Sequence, residues 1–175
     1  GYTIAVLREE QGRGGSRFIH DRVKTGMLLR LRGPKDYFRL EEAADRHVLI
    51  AGGIGITPII AMADRLKQLG RDYAVHYCGR SRSTMAFADR LLEDHGARAV
   101  LHVSEEGSRA DLASIVAGCG KSGARIHACG PARLLDSLGE LCANLPEGTL
   151  RSELFVTDAS GAAQPGDVAF EVELE

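Results

Sequence analysis

Three glycines within four positions follow a run of apolar residues at 47–51 and precede a helical pattern. Gly52, Gly53 and Gly55 carry no Cβ that would keep a pyrophosphate away from the backbone, and the free N–H groups of a helix start attract anions. Pro58 suits the first helical position because its missing N–H would be unpaired there. The stretch therefore predicts a phosphate-binding turn between a buried strand and a helix, although a tight turn without a ligand fits the same residues.

The common dinucleotide-binding fingerprint, G-x-G-x-x-G, does not describe this turn. That fingerprint needs a third glycine for helix packing and an acid about 20 residues later for the ribose hydroxyls. Pro58 occupies the position of the third glycine, and the next apolar run ends in Arg80, Ser81 and Arg82 without an acid, while Asp72 precedes that run. The two arginines suit a ribose 2′-phosphate or a solvated turn. The pattern therefore differs from that of an ordinary dehydrogenase.

Alternating strand and helix patterns from residue 45 to residue 160 predict the elements that position these residues. This alternation is typical of right-handed crossovers in a parallel sheet with helices on both faces. Ser83 and Ser108 are the predicted caps of the second and third helices. The predicted fold class is therefore α/β with a five-stranded parallel sheet. We predict strands at residues 47–51, 73–78, 98–103, 125–129 and 150–156, and helices at residues 58–69, 84–94, 109–117 and 132–143.

The segments on either side of this domain have a different pattern. Apolar and polar side chains alternate at residues 2–9, and an apolar run follows at 28–32, so we predict two strands there. Between them, a short helix at 17–23 is predicted to start with Ser16 as its N-cap. A further strand is predicted at 168–174. We therefore expect a partial antiparallel β segment at 1–44, an α/β domain at 45–160 and a C-terminal strand or linker at 161–175.

Composition and charge argue against several classes of function. The 175 residues are 44% hydrophobic and 26% charged, with a net charge of -2, which gives no support to binding of nucleic acid or of an acidic membrane. No apolar run approaches the roughly 18 residues of a membrane span. The four cysteines form no C-x-x-C pair, and His20, His76, His95 and His102 lack metal-ligand spacing. We therefore expect no metal site and a reduced, cytoplasmic protein.

Three ordered motifs, each after a predicted strand, carry a specific resemblance. They are Ala51-Gly52-Gly53-Ile54-Gly55-Ile56-Thr57-Pro58, Tyr77-Cys78-Gly79-Arg80-Ser81-Arg82 and Ala128-Cys129-Gly130-Pro131. Together they resemble the pyridine-nucleotide domain of the ferredoxin reductase superfamily, and within it the phthalate dioxygenase reductase and vanillate demethylase reductase group. Residues 14–21 resemble the flavin-phosphate segment of that group, and residues 152–155 resemble its Glu-x-Phe element. The resemblance covers nearly all of the chain.

The resemblance implies a nicotinamide coenzyme, NADH in most relatives and NADPH as the alternative, and a place for each part of it. Its pyrophosphate would face the backbone of three glycines, Gly52, Gly53 and Gly55. Thr57 would sit between the nicotinamide and the flavin. Cys129, with Gly130 and Pro131 after it, would border the carbon that gives up hydride. Thr57 and Cys129 are therefore the two predicted catalytic positions.

The resemblance also implies sites for the adenosine and for a flavin, FMN. The adenosine ribose would be approached by three residues after the second strand, Arg80, Ser81 and Arg82, and Phe87 would lie against the adenine. The phosphate of FMN would be held at a helix start by Gly14, Gly15 and Ser16. Phe155 would lie beside the flavin ring.

In this family, a hydride passes from the nicotinamide to the flavin, and single electrons then pass through a plant-type 2Fe-2S cluster to an oxygenase or demethylase component or its ferredoxin. The C-x4-C-x2-C spacing of such a cluster and the Arg-x-Tyr-Ser element that supports the flavin are absent. We therefore expect these parts in a longer parent protein or in another chain. Two other interpretations are a nucleotide-binding module without flavin chemistry and a flavin diaphorase that acts on free acceptors.

Overall fold

The computed structural model describes residues 3–30, 36–119 and 123–155, and its centre is a five-stranded sheet. The strands are β1 (Arg46–Gly52), β2 (Asp72–Gly79), β3 (Ala99–Val103), β4 (Arg125–Gly130) and β5 (Leu150–Leu154). They pair in parallel in the order β3–β2–β1–β4–β5. The predicted α/β fold is therefore confirmed. The helices are α1 (Gly15–Arg22), α2 (Ile56–Gln68), α3 (Ala88–His95), α4 (Leu112–Ala117) and α5 (Ala132–Cys142).

The side chains of β1 alternate between the two faces of the sheet. Leu49 and Ala51 lie in an apolar cluster with residues of α2 and α3, whereas Val48 and Ile50 lie in a second cluster with residues of α4 and α5. Burial of each large apolar side chain contributes about 1.5–3 kcal/mol to folding. Since a central parallel strand is covered on both faces, its sequence is apolar throughout. The prediction of helices on both faces is confirmed.

The carboxyl ends of the strands meet at one end of the sheet, which we call the carboxyl edge; the other end is the amino edge. Ala51 lies opposite Cys129 of β4, and Gly52 lies opposite Cys78 of β2. The turns that follow β1, β2 and β4 therefore lie side by side. In sheets of this kind, ligands bind outside the carboxyl ends, where the strand order reverses. Here the order reverses at β1.

The helix α4 begins three residues later than predicted. Asp111 is its N-cap, and the Asp111 carboxylate accepts hydrogen bonds from the Ser114 backbone N–H at 3.0 Å and from the Ser114 hydroxyl at 2.7 Å. Ser108 instead donates its N–H to the Val103 carbonyl at 3.1 Å and closes the turn after β3. The predicted cap at Ser108 is therefore wrong, because its backbone is already used by that turn.

The opening segment contains a helix and no strand in its described part. Residues 6–30 and 36–37 belong to a compact unit of their own, and α1 is its helix. In this unit His20 Nε2 lies 2.7 Å from the Val6 carbonyl oxygen, and Arg8 pairs with Glu10 and Asp21. The strands predicted at 2–9 and 28–32 are not formed by the described residues of those ranges, because no neighbouring strand pairs with them. The predicted antiparallel β segment is therefore wrong for these residues.

Residues 3–5 and 38–45 belong to the same compact unit as the sheet. Phe38 and Leu40 pack against the cluster that contains α2, so this unit includes residues before the predicted limit at 45. The strand predicted at 168–174, and the predicted C-terminal segment 161–175 as a whole, lie outside the described residues. No helix formed by the described residues is both long enough and apolar enough to cross a membrane.

Candidate functional site

Two glycines of the carboxyl edge are required for close packing. A Cβ on Gly55 would lie only 2.2 Å from the Cys129 carbonyl oxygen. A Cβ on Gly52 would lie 2.7 Å from Pro131 Cδ and 2.8 Å from Leu134 Cδ2. Both glycines are buried. The missing side chain of Gly55 therefore lets the start of α2 lie directly against the end of β4, and that of Gly52 lets the end of β1 lie against the start of α5.

Gly53 is the glycine of this turn that faces open space. Its φ is +54°, a left-handed conformation that favours glycine, and no atom lies within 4 Å of the position of a Cβ. The helix α2 begins at Ile56, directly after the turn Gly53–Gly55, so its positive end lies beside Gly53. Pro58 is the third rather than the first helical residue, and an N–H there would also lack an intrahelical partner. An anion can therefore approach the backbone at Gly53.

Thr57 lies in the first turn of α2 and lines a groove of about 380 Å³. Its hydroxyl donates to the Ile54 carbonyl at 3.1 Å, which leaves the hydroxyl lone pairs for a ligand. Phe155, which is 42% exposed, lines the same groove just after β5. The structure therefore brings together the two residues that the resemblance assigns to the flavin side. The groove is also lined by Thr3, Ile4, Ala5, Ile60, Ala61, Asp64, Phe87 and Arg90.

Cys129 lies near the end of β4, and its side chain is fully buried in the cluster that contains α2. Burial, and to a smaller extent the nearby Glu153 carboxylate, raises the pKa of this thiol to about 12. The thiol is therefore protonated at neutral pH and does not act as an anionic nucleophile. Gly130 follows and packs against Gly52, since a Cβ on Gly130 would lie 3.0 Å from the Gly52 Cα. The next residue, Pro131, is exposed at the carboxyl edge.

Arg80 and Arg82, which follow β2, pair with two carboxylates that follow β3. Arg80 Nε donates to Glu105 at 2.9 Å, and Arg82 donates to both carboxylate oxygens of Glu106 at 2.8 and 3.2 Å. The hydrogen bonds to Glu106 raise the pKa of the Arg82 guanidinium. All four side chains are exposed, so these ion pairs are weak and can exchange partners. Glu105 and Glu106 were not predicted from the sequence, although their position after the neighbouring strand could have revealed them.

A depression of about 370 Å³ lies beside these ion pairs. Arg82 and Phe87 both line it, so the structure brings a predicted ribose residue and the predicted adenine residue together. Phe87 has a φ of 59°, the one positive φ outside glycine in the described residues, and α3 begins directly after it. The predicted cap at Ser83 is therefore wrong. Ser83 instead contacts the Ser81 hydroxyl oxygen at 3.1 Å, which holds the turn that follows β2.

The predicted FMN-phosphate residues lie at the start of α1 in the opening unit. Gly14 is the N-cap, with a φ of 99°, and Gly15 is the first helical residue. Ser16 is not the cap as predicted, because its hydroxyl accepts a hydrogen bond from the Glu9 N–H at 3.0 Å. A guanidinium nitrogen of Arg17 lies 3.9 Å from the position of a Cβ on Gly14. Helix N–H groups and a cation thus lie together, an arrangement suited to a phosphate.

Comparison with known proteins finds relatives among oxygenase components. No protein-family model matches the sequence. The chain is 40% identical over 168 residues to the phenoxybenzoate dioxygenase subunit beta of Ectopseudomonas oleovorans. The aligned residues cover 95% of this chain and 52% of that protein. An intact type IV self-sufficient cytochrome P450 monooxygenase matches with 49% identity and a TM-score of 0.82, over 87% of this chain and 20% of that chain. Phthalate dioxygenase reductase matches with 28% identity and a TM-score of 0.74, over 86% of this chain and 48% of that chain.

The chain spans about half the length of the curated relatives it matches. The matches nevertheless cover most of this chain, including the sheet and the three motifs of the carboxyl edge. The resemblance drawn from those motifs is therefore confirmed. Over most of its length the chain is therefore similar to phthalate dioxygenase reductase, of the ferredoxin reductase superfamily, and homologues are named as reductase subunits of oxygenases.

Proposed function

We propose that this chain binds NADH or NADPH at the carboxyl edge, as the nucleotide-binding part of a flavin-dependent reductase that supplies electrons to an oxygenase. The observation that carries this proposal is the open backbone position at Gly53, beside the positive end of α2. The turn after β2 and the Cys129 turn flank it on the same edge. Relatives named as reductase subunits of a monooxygenase and of a dioxygenase support the electron-transfer role.

The proposed coenzyme lies across the carboxyl edge, with its pyrophosphate on the backbone at Gly53. Its adenosine reaches the depression lined by Arg82 and Phe87. Its nicotinamide lies toward Thr57 and the turn that follows Cys129. The close contact of Gly55 with Cys129 keeps these two walls at a fixed separation, which a precise stacking of rings requires.

A bound nicotinamide supplies a hydride to a flavin, and this transfer needs no acid or base from the protein. The proposed contribution of the chain is to orient the ring and exclude water. The Thr57 hydroxyl offers lone pairs in the groove, because its proton is donated to Ile54. The Cys129 thiol stays protonated and buried beneath the carboxyl edge, so the proposed contact with the nicotinamide is made by the turn that follows it. Phe155 offers a partly exposed aromatic ring in the same groove as Thr57, directly after β5.

The proposed flavin is FMN, with its phosphate at the start of α1 near Gly15 and Ser16. Beyond the flavin, we propose a plant-type 2Fe-2S cluster in the parent protein and an oxygenase or demethylase component, or its ferredoxin, as the acceptor. A second candidate acceptor is a cytochrome P450 on the same polypeptide. It is favoured by the 49% identity to one fifth of a self-sufficient P450 monooxygenase, which exceeds the 28% identity to phthalate dioxygenase reductase.

The test combines coenzyme titration, flavin content and dye reduction. The purified protein is expected to bind NADH or NADPH at one site per chain and, when it contains flavin, to reduce ferricyanide at the expense of the coenzyme. Coenzyme binding without any flavin would instead favour a nucleotide-binding module. Failure of both coenzymes to bind a protein shown to be folded by circular dichroism would overturn the proposal.

A further inference from the structure

Two histidines face each other on one side of β2 and β3. Tyr77 of β2 and Val103 of β3 lie in the cluster that contains α2 and α3, so His76 and His102, one residue before them, lie on the other face of the sheet. On that face His76 Nδ1 lies 3.1 Å from His102 Nε2, and the ring centroids are 5.4 Å apart. Val100, which lies two residues before His102 and therefore on the same face, is 42% exposed. This face of the two strands is therefore open to solvent beside the histidine pair.

The two facing nitrogens share one hydrogen bond, so one ring donates and the other accepts. Burial lowers the pKa of both imidazoles, and for His76 the neighbouring His102 adds a smaller effect in the same direction. Both rings are therefore neutral at pH 7, which is the form that binds metal ions. If the shared proton moves to the outer nitrogen of the donor ring, both facing nitrogens present lone pairs without any net release of a proton.

The separation of the two nitrogens suits a shared metal ion. Zinc binds histidine nitrogen at about 2.0–2.1 Å, so nitrogens 3.1 Å apart would subtend an angle of about 100° at the ion. That angle lies between the right angle of a square-planar site and the tetrahedral angle. Each N–Zn direction then lies about 40° away from the line that joins the two nitrogens, so both rings must rotate to direct their lone pairs at one ion.

We propose that His76 and His102 form a two-histidine site for a divalent d-block ion such as Zn²⁺ on the open face of β2 and β3. Within residues 3–30, 36–119 and 123–155, no group of three or more His, Cys, Asp or Glu side chains is arranged to hold a metal ion, so water completes the coordination. The bound ion joins β3, the outermost strand in the order β3–β2–β1–β4–β5, to β2. The site is separate from the proposed coenzyme site and does not depend on it.

The test measures Zn²⁺ binding to the full chain by competition with a chromophoric chelator. One ion per chain is expected. His76→Gln and His102→Gln should each lower the affinity at least tenfold, because loss of even a group that only hydrogen-bonds to a metal ligand costs about 10–100-fold. His20→Gln is the matched control, since His20 lies in the opening unit and contacts Val6 instead of a second histidine. It should bind Zn²⁺ as the wild type does.

A second readout uses thermal unfolding, because an ion that binds only the folded state raises the melting temperature. Zn²⁺ should raise the melting temperature of the wild type and of His20→Gln, but not that of His76→Gln or His102→Gln. Circular dichroism checks that the variants fold, and His102→Gln on the edge strand keeps the test valid should His76→Gln fail to fold. Wild-type Zn²⁺ affinity in a folded His76→Gln or His102→Gln variant would overturn the proposal.

Discussion

The polar groups at the carboxyl edge of the sheet are exposed, whereas those toward the amino edge are buried. At the carboxyl edge, Gly53 offers open backbone and the pair of Arg82 with Glu106 is exposed. Toward the amino edge, His47 and His127 are fully buried with ring centroids 6.4 Å apart, and the Tyr73 hydroxyl lies 2.7 Å from His95 Nδ1. One edge leaves its polar groups available to a ligand, whereas the other uses them inside the fold.

This difference predicts which property each edge controls. A change at an exposed or open position of the carboxyl edge should alter coenzyme binding more than stability. A change among the buried groups toward the amino edge should alter stability, and its dependence on pH, more than binding. Gly55 is the exception at the carboxyl edge, because it is buried and packed against Cys129.

The largest expected effect is a loss of stability in Gly55→Ala. The new Cβ would lie 2.2 Å from the Cys129 carbonyl oxygen, a backbone atom that cannot easily move. We expect the free energy of unfolding in urea to fall by about 3 kcal/mol or more. The control is Gly139→Ala in α5, where nothing lies within 4 Å of the new Cβ and a gain of about 0.5–1 kcal/mol is expected. Equal stabilities of the two variants would contradict the close packing of this edge.

The next effect is an acid sensitivity caused by His127. Burial, with a smaller contribution from the neighbouring His47, lowers the pKa of His127 to about 4. An unfolded histidine has a pKa of about 6.5, so the unfolded state binds a proton that the folded state excludes as the pH falls from 6.5 to 4. This single group should therefore remove up to about 3 kcal/mol of stability at pH 4 and none above pH 7.

Urea unfolding between pH 4.5 and pH 7.5 checks this pH dependence. His127→Leu should lose less stability than the wild type over that range, whereas His20→Leu in the opening unit should follow the wild type. A His127→Leu variant with the same pH slope as the wild type would show that this buried ring does not control the acid sensitivity.

A loss of coenzyme affinity in Gly53→Ala is expected to be of intermediate size. A methyl group at this position would lie where the pyrophosphate approaches, so affinity should fall at least about tenfold, which corresponds to about 1.4 kcal/mol. Gly70→Ala is the matched control, because Gly70 has a φ of +63° and open space like Gly53 but lies in the turn between α2 and β2. Both variants carry a similar backbone strain. Equal coenzyme affinities would rule out the role of Gly53.

The smallest expected effect is a change in the choice between NADH and NADPH. Removal of the charge in Glu106→Gln frees Arg82 from its ion pair and removes a carboxylate that would repel a 2′-phosphate. Exposed ion pairs contribute about 0.2–1 kcal/mol, so affinity for NADPH relative to NADH should rise up to about fivefold. Titration of both coenzymes measures this ratio. Glu93→Gln on α3 is the control, and an unchanged ratio in Glu106→Gln would remove Arg82 from the ribose site.

The sheet could be predicted because each of its strands corresponds to one short apolar run in the sequence. The five predicted strands and four predicted helices of the sheet domain all exist, within a few residues at most ends. Errors arose where an end depends on one backbone conformation or one side chain. α3 begins after Phe87, whose φ no propensity predicts, and α4 begins after Asp111 instead of Ser108. The two opening strands were wrong because strand formation depends on a partner, and local alternation does not show one.

The motifs of the candidate site were predicted from the sequence, but the residues that contact them from a neighbouring strand were not. Gly53, Thr57 and Arg82 were predicted because each stands directly after a strand or at a helix start. Glu105 was not found, although parallel strand ends share one edge and its position after β3 follows from the strand order. The pair of His76 with His102 was missed for the same reason. Spacing along the chain reports neighbours within one element, whereas these contacts depend on the register between two strands.

The central claim is that the open turn at Gly53 binds the diphosphate of a nicotinamide coenzyme. Titration of the isotope-labelled protein with NADH or NADPH, followed through its backbone amide resonances, tests this claim most directly. The account predicts the largest shifts at Gly53, Thr57 and Gly130 and none at Gly70. Saturable binding that shifts Gly70 and leaves Gly53 unchanged would contradict it.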